Sequence, residues 1–180
     1  MNTTPLAYES VWPALAQARS RAWLLALGGC LVGVLLWLHA RYALIWVVGE
    51  SMRPTIPSSS LVLMNKLAYR DAAPRYDDLV VARCQNELIA KRIVGLPGQT
   101  VGVKMGVLYV NGTPIVERHR IEPGSLTIEA GTLFTDRYAL LGDNRDLSSA
   151  TAVHAVVPRD HIVGKVVAQL PRLPFKGTGD

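Results

Sequence analysis

The chain of 180 residues is 49% hydrophobic and 18% charged, with 19 Lys+Arg against 14 Asp+Glu and a formal net charge of +5. Disordered chains are poor in apolar residues and rich in charge, and collagen-like or low-complexity chains need far more than 15 Gly and 11 Pro. Two Cys exclude a small domain built on disulfides.

The apolar surplus lies near the N-terminus. Residues 22–38, AWLLALGGCLVGVLLWL, carry no charge. A helix of that length spans about 25 Å, just short of a hydrocarbon core of about 30 Å. Tyr42–Val48 is also apolar, so a snorkelling Arg41 would let the crossing be completed. Trp23, Trp37, Tyr42 and Trp46 lie towards the two ends, where an aromatic belt belongs. A buried helix of this kind would have little to pack against in so small a chain. A cleavable signal peptide should end in an A-x-A pattern, whereas this run leaves through Leu38-His39-Ala40-Arg41. The expectation is an uncleaved transmembrane anchor over 22–48, preceded by a short segment, 1–21. Arg19 and Arg21 precede it, and Arg41, Arg53 and Lys66 follow, so charge alone leaves the orientation open.

The remaining 132 residues, 49–180, carry 16 Lys+Arg against 13 Asp+Glu without a basic stripe. That is enough chain for one domain, expected over 49–170, and it gives no sign of nucleic-acid binding. Its apolar runs are short. Strands are predicted at 61–64, 79–82, 88–94, 138–141 and 161–167, with a hairpin of 107–110 and 114–116 around Asn111-Gly112. Asn-Gly tolerates the positive φ values of a type I′ turn. No amphipathic helix of ten or more residues follows position 50. The fold class is therefore mostly β, a sandwich or barrel-like domain behind one N-terminal transmembrane helix. The Pro/Gly-rich tail 171–180 is expected to fray. The four His, at 39, 119, 154 and 161, show no metal-ligand spacing with the Cys, so neither a metal nor another cofactor is predicted.

Two segments carry chemistry. In Gly49-Glu50-Ser51-Met52-Arg53-Pro54-Thr55 a small punctuated loop can expose a Ser with its own N–H beside it, giving a nucleophile and an oxyanion donor. The same residues also suit a plain polar turn. In Ala90-Lys91-Arg92-Ile93-Val94-Gly95-Leu96-Pro97-Gly98 a Lys follows apolar residues. Burial there would lower its pKa and make it a base, though a Lys can also guard a strand edge against aggregation.

Together, Ser51–Thr55, Lys91–Gly98 and Gly142-Asp143-Asn144-Arg145-Asp146 with Ser148 resemble the type I signal peptidases, membrane-anchored serine proteases with a Ser–Lys dyad. All three blocks occur in the family's order, over residues 45 to 168. The resemblance implies a signal-peptidase-like β-domain, with Ser51 as nucleophile, Lys91 as general base and Ser148 orienting the lysine amine. It implies supporting roles for Asp143 and Arg92, an ion pair between matched blocks. The Ser51 N–H would be an oxyanion donor. Many members add a serine hydroxyl two residues earlier; Gly49 stands there, so a second donor would be a backbone N–H, a water, or missing. The family's third block continues with Asp and Arg where Ala150 and Ala152 stand, which puts fine positioning of Ser148 and Lys91 in question. Only 43 residues separate Gly98 from Gly142, the compass of a minimal, single-anchor form.

The implied partners are the lipid bilayer and exported preproteins whose signal peptides end in small residues at −1 and −3. An extended substrate would pair along a strand edge and place alternate side chains in two pockets. Val47, Val48, Met52, Ile56, Ile89 and Ala90 match positions lining them, with core packing the alternative role. The resemblance also implies an inner (plasma) membrane protein with a cytoplasmic N-terminus and the catalytic domain on the far side. Alternatives include a relative specialised for a pilin precursor in conjugative transfer and a non-catalytic tethered binding module. The soluble repressor-cleaving Ser–Lys proteases lack both this anchor and the third block.

Overall fold

The computed structural model describes residues 11–147 and 154–170, with side chains from 23 onward. It divides after Arg41 into two units. The first is a helix, α1 (Val11–Arg41). Its stretch Trp23–Arg41 has a mean hydropathy of 1.9 and is 0% buried. Trp23, Leu25, Leu27 and Leu36 are all exposed. An apolar surface left uncovered all round suits lipid and not a protein core.

Tyr42–Val48, counted above with the anchor, belongs elsewhere. Tyr42–Val47 forms a strand, β1, paired antiparallel with β2 (Ser60–Asn65) in a register from Tyr42↔Asn65 to Val47↔Ser60. The physical reason is a change of period. Ala43, Ile45 and Val47 turn into the core while Leu44 and Trp46 face out. Alternation of β-branched and aromatic residues favours a strand over a further turn of helix.

The second unit is built on two antiparallel sheets. The other strands are β3 (Leu79–Cys84), β4 (Glu87–Gly95), β5 (Thr100–Lys104), β6 (Val107–Val110), β7 (Thr113–Pro114), β8 (Ile128–Thr132), β9 (Arg137–Leu141), β10 (His154–Pro158) and β11 (Ile162–Gln169). The larger sheet has the order β1-β2-β11-β3-β4-β9-β10, and the smaller β7-β6-β5-β8. The unit is thus mostly β, as expected. Asn111 and Gly112 take φ values of +53° and +78°, which closes the β6–β7 hairpin.

Three apolar clusters fill the domain. Val94, Ala139 and Leu141 of the larger sheet meet Val103 and Leu108 of the smaller. Val80, Ile93, Leu140 and Val157 form a second cluster within the larger sheet. The third gathers Val47, Met52, Ile56, Val62, Met64, Val81 and Val166 beneath β1 and β2. Gly95 lies at the bulge where β4 leaves β9. A Cβ there would come within 2.4 Å of Val101 Cγ2, so the sheets approach this closely only over glycine.

Candidate active site

Ser51 and Lys91 come from distant parts of the chain. Ser51 sits in the turn after β1, and Lys91 lies in mid-β4 opposite Val80 of β3. The turn closes through Arg53 N–H to Glu50 O at 3.1 Å and Ile56 N–H to Met52 O at 2.7 Å. These bonds drive Met52 and Ile56 inward, where each is 1% exposed, and leave Ser51 at the rim. Lys91 Nζ is hydrogen-bonded to Ser51 Oγ.

The lysine is 3% exposed. Burial strips water from its charged form and pushes its pKa down to about 8, against the opposing pull of the Asp143 carboxylate. A neutral amine is therefore accessible near neutral pH, in contact with a hydroxyl it can deprotonate. That is the arrangement a Ser–Lys pair needs.

The loop after β9 positions this pair. Arg92, next to Lys91, grips Asp143 with both ends of its guanidinium: Nε–Oδ1 is 2.9 Å and Nη2–Oδ2 is 2.7 Å. Thr55 donates its hydroxyl to Asp143 Oδ2 at 2.5 Å. Burial opposes the Arg92 charge, but Asp143 and Asp77 outweigh it and raise its pKa. With Thr55, the Arg92–Asp143 pair thus ties the turn of Ser51 to the strand of Lys91. Asn144, whose role the sequence reading missed, adds two more bonds. Its N–H donates to Ser51 O and its Nδ2 to Glu50 O, both at 3.1 Å.

Behind these residues lies a buried charged group. Arg145 is fully buried, with Nη2 2.5 Å from Glu117 Oε1 and further bonds to the carbonyls of Gly142 and Gly106. His119 Nδ1 is 2.9 Å from Asp77 Oδ1, and its Nε2 is 3.4 Å from Glu117 and Asp143 oxygens. Burial would raise the Glu117 pKa, but His119 and Arg145 hold it below the usual carboxylate value. Short hydrophobic-flanked motifs do not reveal such a cluster, because Asp77, Glu117 and His119 are scattered through loops.

A cleft of about 440 Å³ opens beside Ser51 and Lys91. Val47 and Val48 line one side and Ile89 and Ala90 another. Met52 and Ile56 differ: they are packed into the core with Val62 and Val81 and do not stand on its wall. Gly49 differs as well. Its φ is +111°, and its N–H donates to Ser58 Oγ at 3.0 Å, which commits it away from an oxyanion role. No described residue accepts the Ser51 N–H. Ser148, assigned to orient Lys91, lies outside the described residues, with Ala150 and Ala152.

A family model described as signal peptidase, peptidase S26, matches residues 20–170. The chain belongs to the signal peptidase family. Signal peptidase I of Bacillus caldolyticus is 34% identical over 173 residues, covering 83% of this chain and 90% of that protein. Signal peptidase I of Leptolyngbya laminosa is 31% identical over 141 residues, 73% of this chain and 68% of that one. A probable signal peptidase I-2 of Synechocystis is 29% identical over 178 residues, 94% of this chain and 78% of that one. Among solved structures, signal peptidase I of Enterococcus faecalis aligns with 53% of this chain and 98% of its own at 23% identity, with a TM-score of 0.41. Family membership and the uncovered apolar helix α1 fit a membrane-anchored enzyme.

Proposed function

We propose that this signal peptidase cleaves by acyl transfer through Ser51 and Lys91. The activity follows from the family: the chain is a serine endopeptidase that removes signal peptides from exported preproteins. The observation that carries the residue assignment is the direct contact of a buried, pKa-lowered Lys91 with Ser51 Oγ.

In the acylation step, neutral Lys91 accepts the Ser51 hydroxyl proton as Oγ attacks the scissile carbonyl carbon. The Ser51 N–H faces the developing oxyanion. Collapse breaks the C–N bond, and the Lys91 ammonium returns its proton to the departing amine, the new N-terminus of the mature protein. Water then attacks the ester. Lys91 takes the water's proton and gives it back to Ser51 Oγ, releasing the signal peptide with a free carboxylate. Ser148 would hold the lysine amine in line, and the Arg92–Asp143 pair keeps strand and turn in register.

The cleft supports a preference for small side chains at −1 and −3. A substrate in extended conformation would send alternate side chains to one face, where Val47, Val48, Ile89 and Ala90 line the cleft. We place the enzyme in the inner (plasma) membrane, with its N-terminus cytoplasmic and residues 42–170 beyond. The test is cleavage of a preprotein by full-length enzyme in detergent, beside Ser51→Ala and Lys91→Ala. Cleavage by wild type and by neither variant supports the dyad; equal cleavage by either variant refutes it.

A further inference from the structure

His119 is titratable, its side chain is 11% exposed, and it takes no part in the acyl transfer described above. Carboxylates face both nitrogens of its ring. Nδ1 is 2.9 Å from Asp77 Oδ1, while Nε2 is 3.4 Å from Glu117 Oε1 and from Asp143 Oδ1. Among the described residues Nε2 makes no hydrogen bond, as donor or as acceptor. A neutral imidazole carries one N–H and one lone pair. Protonated on Nδ1 alone, the ring would turn a bare Nε2 towards two carboxylate oxygens. Protonated on Nε2 alone, it would set a bare Nδ1 against Asp77 at hydrogen-bond distance. Only the doubly protonated ring keeps an acceptor from facing an acceptor.

Charge balance leads to the same state. Arg145 is committed to Glu117 and to the carbonyls of Gly142 and Gly106. Arg92 is left to serve Asp143 at 2.7 Å and Asp77 at 3.3 Å. Of the neighbouring groups, Tyr76 is kept neutral by burial and by the negative charge of Glu117 and Asp77. Glu122 joins through its backbone, to Asp143 O and Arg145 N–H. Arg118 and Arg120 are exposed, where solvent screens them. Three carboxylates thus share two guanidinium groups, and a buried negative charge without a partner is costly. A cation on His119 closes the balance. Asp143 gives that cation a task, because its carboxylate holds Arg92 beside Lys91 and Thr55 in the turn of Ser51. Its charge also favours the protonated form of Lys91, so leaving it uncompensated opposes the neutral amine.

We propose that His119 is a positioning residue. As a doubly protonated imidazolium among Asp77, Glu117 and Asp143, it fixes Asp143, and through it the Ser51 turn and the Lys91 strand. Its effect on rate rests on Ser51 and Lys91 being the dyad, whereas its ring state does not.

The ring state can be read directly. Full-length Ser51→Ala protein with nitrogen-15-labelled histidine, in neutral detergent micelles at pH 7, shows ring-nitrogen resonances from four histidines. His39→Gln, His154→Gln and His161→Gln, all at exposed positions, assign the others and leave His119. Two protonated nitrogens on His119 are expected; one bare nitrogen overturns the proposal. Kinetics on the otherwise native enzyme then separate charge from packing. His119→Gln keeps a donor without the charge and should lower kcat about tenfold with KM held within about twofold. Asp77→Asn removes the carboxylate left in excess, so His119→Gln/Asp77→Asn should recover kcat to within about threefold of wild type. A single variant as fast as wild type, or a double variant no faster than the single one, overturns the proposal as well. Undiminished cleavage by Lys91→Ala in the same assay would refute the dyad and leave both His119 results decisive.

Discussion

Asn144 Nδ2 donates to the carbonyl oxygen of Glu50 at 3.1 Å. That carbonyl belongs to the peptide unit whose other end is the Ser51 N–H. In a trans peptide the two groups point in opposite directions, so fixing one aims the other. In the proposed mechanism Asn144 therefore orients the Ser51 N–H from behind.

Asn144→Ala should lower kcat about tenfold to a hundredfold and leave KM within about twofold, short of the full loss of an oxyanion donor at 10²–10³. Steady-state kinetics on a peptide substrate measure both. A change confined to KM would mean that Asn144 shapes the cleft instead.

The proposed base has a pH signature. With Lys91 held down at about 8, kcat/KM should rise as pH climbs through that value, since the protonated form cannot accept the Ser51 proton. A profile already flat below pH 7 would require another base.

The same group predicts a stability effect of definite sign. Its folded pKa lies below the unfolded value, so below pH 8 both states hold the proton and the full cost of burying the charge is present. Between about pH 8 and 10.5 the unfolded chain binds the extra proton, and folding gains stability as pH rises. Lys91→Met should be more stable than wild type at pH 7 by on the order of 3 kcal/mol, with the gap closing by pH 10. Chemical denaturation at the two pH values reads it, and a constant gap contradicts it.

Much of this was legible beforehand for a physical reason. Ser51, Lys91 and Asp143 sit in short local motifs, and most core strands announce themselves by apolar runs. β5 and β8 did not, because Gly102 and Gly131 interrupt their pattern, and β10 did not, because its apolar run is only Ala155–Val157 before Pro158; pairing with neighbours supplies what propensity lacks. β1 was hidden by its own hydrophobicity, since Tyr42–Val47 reads as more of the span until its alternation is noticed. Met52 and Ile56 were assigned by motif position to the cleft, whereas the turn's hydrogen bonds rotate them inward. The buried group around His119 depends on loops meeting in space and leaves no mark in sequence spacing.

Breaking the Arg92–Asp143 pair should cost more than an ordinary surface pair. Asp143 has no exposed side-chain surface, and Arg92→Ala leaves that carboxylate buried with its strongest partner gone. A loss of about 3–5 kcal/mol is expected from either Arg92→Ala or Asp143→Ala. The double variant should lose clearly less than the sum. Simple additivity in denaturant melts would show that the two act independently.

Gly49→Ser tests a tempting repair. A serine there would supply the hydroxyl that the family resemblance implies, but Gly49 has a φ of +111°, a conformation that strains any side chain. The variant should lose about 1–3 kcal/mol and gain no rate. A faster enzyme of unchanged stability would show that the turn relaxes to accept it.

The direct passage from Arg41 to Tyr42 sets where this protein can be cut down. Trimming at residue 49, the boundary suggested by hydropathy, removes β1 and uncovers Val62 and Met64 along the edge of β2. The resulting fragment would offer raw backbone and apolar side chains to its neighbours and should aggregate. Trimming at Tyr42 keeps the sheet whole. Solubility here is a matter of six residues that look like membrane and fold as protein.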